Sequence, residues 1–171
     1  ILNINLVIDK LDQVIYFGEK ATQHFPLEPI FYYYHGLAFV YKEDYKKALP
    51  IIMTGLDYVI DNNELKSEMH ATLGDIYHKL GNNIKSDEFY ESALQAKPDY
   101  IIVLNNYSYY LSLRGGERNL MKAEKMITKC LDLTKNNPEP SFLDTYAWVL
   151  FQQGEEAKES HLKQQKYVES K

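Results

Sequence analysis

The chain has 171 residues, of which 45% are hydrophobic and 25% are charged, and its formal net charge is −5. This length is enough to bury a substantial core, and the composition is that of a soluble globular domain. The acidic balance and the absence of a dense Lys/Arg block argue against nucleic acid as a partner, because phosphate neutralisation supplies most of that affinity. No run of about 18 apolar residues is present, so no membrane span is expected.

Neither the start of the chain nor its cysteine content identifies the cellular compartment. The apolar start from Ile1 to Ile8 lacks a basic region and an initiator Met, so we interpret it as the cut end of a longer chain and not as a signal peptide. The compartment is therefore open: bacterial cytoplasm, or periplasm and envelope if a signal lies upstream. Cys130 is the one cysteine, which excludes an intramolecular disulfide, and it is expected to be a small buried thiol.

The predicted elements are helices throughout. Residues 9–26 indicate one helix, and Asp99 to Leu113 and Leu120 to Leu133 carry apolar residues at helical spacing. No stretch alternates as a strand would. Prolines are expected at helix starts and glycines at chain reversals between paired helices; these positions are Pro29, Pro98 and Pro140, and Gly81, Gly115, Gly116 and Gly154.

Two segments of the chain share one template of large, small and aromatic residues. The first is Tyr32-x-x-His35-Gly36-x-x-Phe39, followed by Tyr45-x-x-Ala48; the second is His70-x-x-Leu73-Gly74-x-x-Tyr77-x-x-x-Gly81, followed by Tyr90-x-x-Ala93 and then Pro98. This template resembles the tetratricopeptide repeat, and residues 67–100 are its best copy. Ser86 stands where the family prefers Ala, but it is still small enough for a close helix crossing.

The resemblance implies an all-α, right-handed solenoid of about seven to eight antiparallel helices in a single domain, residues 1–171. The implied units are a partial repeat at 1–28, repeats at 29–66, 67–100 and 101–139, and an atypical or capping repeat at 140–171. Two irregularities are expected: a lengthened loop from Arg114 to Asn119, and a last repeat that turns at Gly154 into a poorly matching helix from Ser160 to Ser170. The last two repeats are also similar to those of bacterial multi-repeat proteins, which suggests a bacterial origin.

No constellation of residues indicates catalysis or a cofactor. Gly-x-Gly-x-x-Gly, Walker and Gly-x-Ser-x-Gly motifs are absent from the sequence. His70 and His78 lie two turns apart, which does not suit one metal ion, and His35 is expected to be a buried core imidazole. We therefore predict no metal site, no cofactor and no enzymatic activity for this chain.

In the family that the repeats resemble, the first helix of each repeat lines a concave groove that holds a protein or peptide partner. The residues carried over to that groove are Tyr33, Tyr34, Leu37, Tyr41, Thr72, Asp75, Asn105, Asn106, Tyr109, Asp144 and Trp148. Relatives that clamp a carboxylate-ended peptide use Lys, Arg and Asn at defined groove positions. Here those positions hold Tyr33, Leu37, Thr72, Ile102 and Asn106, and only the last fits, so this partner class is not expected.

The predicted function is a protein-interaction scaffold. Its aromatic groove is expected to bind an extended or helical segment with apolar anchors and a positive residue, because Asp75 and Asp144 favour a basic group. Three alternatives stay open: the C-terminal helix fills the groove, the repeat ends assemble into a homo-oligomer, or the chain is an accessory domain of a longer enzyme or envelope-assembly protein.

Overall fold

In the computed structural model, the described residues are 10–137 and 139–169, with the side chains described as far as Gln165. These residues form eight α-helices and no strand, which confirms the all-α class. The helices are α1 (Leu11–His24), α2 (Pro29–Tyr41), α3 (Tyr45–Asp57), α4 (Asn63–Lys79), α5 (Asn83–Ala96), α6 (Ile101–Arg114), α7 (Glu117–Leu133) and α8 (Pro140–Glu169). None of them is both long and apolar enough to cross a membrane. The start that was interpreted as a cut end, Ile1 to Ile8, lies outside the described residues.

The chain divides after Pro98 into two compact units, and whether they act as the single predicted domain stays a prediction. In the first unit α1 packs on α2, α2 on α3, α3 on α4 and α4 on α5. The buried residues of α3 and α4 form one core, and Leu11, Val14 and Ala38 form a second cluster between α1 and α2; the members of the first are Ala48, Ile52, Leu65, Met69, Leu73 and Ile76. The predicted helix for residues 9–26 is confirmed as α1.

Close helix crossings explain the small residues of the repeat template. A Cβ atom added to Gly36 would lie 2.2 Å from Cγ1 of Ile52, and one added to Gly74 would lie 2.9 Å from Cδ1 of Tyr90. Both glycines are helical and buried. A side chain of the paired helix occupies the space that a larger residue would need there. Interiors are packed densely enough that even one methyl group is felt there.

The pair α4–α5 is the complete repeat, and its polar groups are matched. Asn62 and Asn82 cap the two helices, accepting from the backbone N–H of Leu65 at 3.0 Å and of Lys85 at 3.1 Å. The hydroxyl of Ser86 donates to the Gly74 carbonyl at 2.9 Å across the crossing. The departure from Ala at this position therefore adds a hydrogen bond between the paired helices.

The second unit consists of α6, α7 and α8, with α7 packed on α6 and α8 packed on both. Cys130 is fully buried in it and its thiol donates to the Ile101 carbonyl at 3.5 Å. Burial raises the pKa of this thiol to about 11. The prediction of a small buried thiol is confirmed, and the thiolate, the reactive form, is disfavoured there.

The predicted long loop between Arg114 and Asn119 is wrong. Only Gly115 and Gly116 separate α6 from α7, with φ angles of 62° and 81°, a region that glycine adopts without strain. The remaining residues extend α7 by a turn at its start. Pro98 is also not at a helix start, since α6 begins at Ile101.

The predicted turn at Gly154 and the separate helix from Ser160 to Ser170 are wrong as well. Helix α8 runs without interruption from Pro140 to Glu169; Ser170 lies outside the described residues. A glycine inside a helix costs only about 1 kcal/mol relative to alanine. The stretch after Gly154 is rich in Glu, Lys, Gln and Ala, which are good helix formers, so propensity carries the helix through.

Candidate functional site

Helix α2 carries the aromatic part of the predicted groove in the first unit. The rings of Tyr33 and Tyr34 lie with their centroids 5.7 Å apart. Tyr33 is half-buried and packs against the core of the first unit. The side chain of Leu37, on the same helix, is also partly buried. Tyr41, at the end of the helix, is 57% exposed. Tyr34 and Tyr41 therefore offer surface, whereas Tyr33 is also a packing residue.

Thr72 and Asp75 on α4 are occupied within their own repeat. Thr72 is buried, and its hydroxyl donates to the Glu68 carbonyl at 2.9 Å. Asp75 accepts a hydrogen bond from the hydroxyl of the fully buried Tyr90 on α5. Thr72 is thus bonded within α4, and Asp75 joins α4 to α5; their part in partner binding stays a prediction.

Three predicted groove residues come together in the second unit. Tyr109 from α6 and Asp144 and Trp148 from α8 line one cavity of about 270 Å³, with Thr145 as a fourth lining residue. The Trp148 ring stacks on Phe151, with centroids 5.6 Å apart and planes at 28°. We call the space that these four residues line the α6/α8 cavity.

Two buried polar atoms in this unit have no hydrogen-bond partner among the described residues. They are Oδ1 of Asn105 and Nε1 of Trp148. The Asn105 amide nitrogen does have one, since it donates to Oδ1 of Asn106 at 3.2 Å. An unpaired buried polar group costs about 1–3 kcal/mol, so a ligand that satisfies one recovers that energy. Residue spacing carries no signal for this feature, because pairing depends on neighbours in space.

His35 and His70 of the first unit are packing residues. His35 is buried with its ring 5.5 Å from that of Phe39, and His70 lies 5.8 Å from Phe89. Burial lowers the pKa of His35 against the opposing charge of Glu19. Burial lowers the pKa of His70, and the positive charge of Lys66 lowers it further. Within the described part of the chain, no group of three His, Cys, Asp or Glu residues is placed to hold a metal ion.

The uninterrupted α8 creates a second cavity that the sequence did not suggest. It has a volume of about 370 Å³ between α7 and the middle of α8, and its lining includes Leu120, Met121, Gln153, Glu156 and Ala157. Gln153 donates to Oε2 of Glu124 on α7 at 2.8 Å. From Gly154 to Gln165 every described side-chain position is exposed, so this part of α8 does not cover the α6/α8 cavity.

The helix pairs, their glycine crossings and their repeat template define a tetratricopeptide repeat protein. The family model described as "Tetratricopeptide repeat" matches residues 67–100, the segment that forms α4 and α5. Proteins built from these repeats are generally non-enzymatic scaffolds for protein–protein interaction.

Solved structures agree on the fold. BtubC from P. vanneervenii matches with a TM-score of 0.61 and 16% identity over 81% of this chain and 61% of its own. YrrB, described as a tetratricopeptide repeat protein with an unusual peptide-binding site, has a TM-score of 0.60 and 17% identity over 92% of this chain and 85% of its own. A double mutant of MamA has a TM-score of 0.60 and 16% identity over 88% and 89%.

Curated relatives identify the family more narrowly. The ycf37 protein of Pyropia yezoensis is 32% identical over 130 residues, which are 73% of this chain and 71% of the relative. The ycf37 protein of Porphyra purpurea is 30% identical over 77 residues, 45% of this chain and 43% of the relative. The chain belongs to the ycf37 family.

Proposed function

We propose that this chain is a non-enzymatic scaffold that binds a peptide segment of a partner protein between α6 and α8. The observation that carries the proposal is the α6/α8 cavity, where Tyr109, Asp144 and Trp148 from two helices line one space. Aromatic side chains of this kind supply contact area at low conformational cost, because each has only two side-chain torsions to fix.

The unpaired polar atoms support the same proposal. A peptide backbone carries one donor and one acceptor per residue, which suits the free acceptor of Asn105 and the free donor of Trp148. Both atoms are buried, so a ligand bonds them only if the side chains turn as it enters. YrrB, which shares the fold, is described as having a peptide-binding site. Tyr34 and Tyr41 on α2 are proposed as a separate contact surface.

The experiment uses Trp148 as its own reporter, since it is the one tryptophan of the chain. A peptide library is titrated while the fluorescence of Trp148 is followed. The Tyr109→Ala variant is expected to weaken binding by about 2 kcal/mol, or roughly 30-fold, as for an aromatic residue at the centre of an interface. Tyr16→Ala, at an exposed tyrosine of α1, is the matched control and should bind as the wild type does. Equal binding by both variants would contradict the proposal.

A second candidate function, self-assembly, is favoured by the outer face of α8. Leu143, Leu150, Phe151 and Leu162 are 43–55% exposed. Leu143 and Leu150 are seven residues apart and Phe151 and Leu162 eleven, so each pair lies along one line of the helix surface. We call these four residues the α8 strip. Two of them, Leu143 and Leu150, take the places of His70 and Tyr77, which pack against Phe89 of the second helix in the complete repeat.

We propose a second copy of the chain as the occupant of this strip, because the strip is self-complementary. Two α8 helices crossing antiparallel near Gly154 place Phe151 of each copy against Gly154 of the other, and Leu143 opposite Leu162. A Cβ atom added to Gly154 would have nothing within 4 Å, so the backbone there is open to close approach. Symmetric pairing of one patch with itself is the commonest way in which chains form dimers.

Sedimentation velocity over a range of concentrations tests the dimer. The wild type is expected to dimerise, and a Leu143→Glu/Leu150→Glu variant is expected to be monomeric, because the charges would be buried at the contact. Ile84→Glu, at an exposed isoleucine of α5, is the control and should dimerise normally. A wild-type chain that stays monomeric at every concentration would reject this candidate and leave peptide binding unaffected.

A further inference from the structure

We infer that the α6/α8 cavity receives a cationic side chain, and specifically a guanidinium group, from the bound segment. This inference rests on the proposed peptide-binding function and names the chemistry of its specific contact. It draws on three features of the described residues: the make-up of the cavity wall, the free carboxylate at that wall, and the size of the space.

The wall combines two aromatic rings with one carboxylate. Tyr109 and Trp148 contribute the rings and Asp144 the carboxylate. Aromatic faces attract cations through the ring quadrupole, and Trp does so most strongly. A carboxylate beside such rings selects against an apolar occupant, because burying it without a partner is unfavourable. The set therefore fits a cation better than it fits a leucine or phenylalanine anchor.

Asp144 has no internal cation. It is exposed and forms no ion pair with any described residue, whereas Lys129 and Lys122 of the same unit have other partners. Lys129 pairs with Asp99 at 2.7 Å. Lys122 places its Nζ 4.7 Å from the centre of the Tyr107 ring, so this unit already uses one cation against an aromatic face. The net charge of −5 also favours a positive ligand.

The volume points to one side chain and to a planar one. At about 270 Å³, the cavity lies just below the range of about 300–1,000 Å³ typical of pockets that take a whole small molecule. A guanidinium group stacks on aromatic rings and bonds a carboxylate through two parallel N–H groups, which an ammonium group does not do. The Thr145 hydroxyl donates to the Ser141 carbonyl at 3.0 Å, so its oxygen keeps lone pairs that accept from a further N–H.

The test uses acetyl-arginine amide and its neutral isostere acetyl-citrulline amide as probes. Each is titrated into the millimolar range at constant ionic strength, and the single indole N–H cross peak, that of Trp148, is followed by NMR. Arginine amide is expected to give a saturable shift, and citrulline amide is expected to bind about tenfold more weakly or not at all, because its ureido group keeps the planar shape but lacks the charge and one NH2 donor.

Two variants complete the test. Asp144→Asn should lose about tenfold in affinity for arginine amide and nothing for citrulline amide, because it removes the charge and keeps the shape. Asp132→Asn, at an exposed aspartate of α7, should behave as the wild type. Equal binding of the two probes, no effect of Asp144→Asn, or no saturable shift would each overturn the cation site. If the peptide library still binds through Tyr109 in that case, the proposed function stands and only this inference fails.

Discussion

Two regions of the molecule carry the same repeat signature and end in different structures. In α4–α5, Leu73 and Gly74 lie under a second helix whose Tyr90 and Ala93 are fully buried. Within the described part of α8 the corresponding stretch is not followed by a second helix, and Leu143 and Leu150, at the positions that His70 and Tyr77 occupy in α4, are 50% and 43% exposed. The template thus marks where a helix pair is able to form, but the pair forms only if the chain turns back.

This difference separates two roles for the same kind of residue. A leucine at a covered position holds a repeat together, whereas a leucine at an uncovered position is available for another chain. The first role appears as a loss of stability on substitution, and the second as a loss of assembly.

The largest difference is expected between Leu73→Ala and Leu150→Ala. Leu73 is 0% exposed, so truncation removes buried area and leaves a cavity, lowering the free energy of unfolding by about 2–5 kcal/mol. Leu150 is exposed, and its truncation should cost less than about 1 kcal/mol in the monomer. Urea unfolding followed by circular dichroism, at a concentration where the chain is monomeric, measures both. Equal losses would mean that the strip on α8 is covered within one chain.

Smaller effects on stability, of opposite sign, are expected for alanine substitutions at Gly74 and Gly154. Gly74→Ala places a methyl group 2.9 Å from the ring of Tyr90, which is buried and bonded to Asp75, so the ring has little room to yield. Overpacking of about 1–3 kcal/mol then outweighs the gain in helix propensity.

Gly154→Ala meets no neighbour within 4 Å and should stabilise α8 by up to about 1 kcal/mol, because alanine is the better helix former. Thermal unfolding of each variant beside the wild type shows whether each substitution raises or lowers the stability. A destabilising Gly154→Ala would show that the residue is needed for a turn or a close contact. Pairing at the α8 strip is one such contact, so the comparison is made with the monomer.

The smallest expected effect is on pH dependence, and it is confined to the first unit. Burial lowers the pKa of both His35 and His70 below the ordinary value of 6.5. The unfolded chain then binds more protons than the folded chain as the pH falls through 6.5 towards the folded pKa values, so stability is full above that range and decreases within it.

The melting temperature should therefore be lower at pH 5 than at pH 7.5, and a His35→Gln variant should lose part of this difference. Each variant is compared with itself at the two pH values, which removes the effect of the substitution on packing. An unchanged pH response in His35→Gln would place the dependence on His70 or on carboxylates.

Part of the candidate site followed from the groove positions that the resemblance to the repeat family implied. Tyr109 on α6 and Trp148 on α8 were expected to face one groove and do line one cavity with Asp144. Thr72 and Asp75 were expected to face it too, yet the first is bonded to its own helix and the second to Tyr90. Spacing determines the side of a helix on which a residue lies, but it does not determine which neighbour takes its hydrogen bond.

Local periodicity and residue size were enough to predict the all-α class, the repeat at residues 67–100 and the buried position of Cys130. Packing between helices, which spacing does not show, places Gly154 within a 30-residue helix, leaves Gly115 and Gly116 alone to join α6 to α7, and leaves buried atoms of Asn105 and Trp148 unpaired. The reason is physical: a glycine is compatible with both a turn and a helix, and the packing of neighbouring elements sets the small free-energy difference between them.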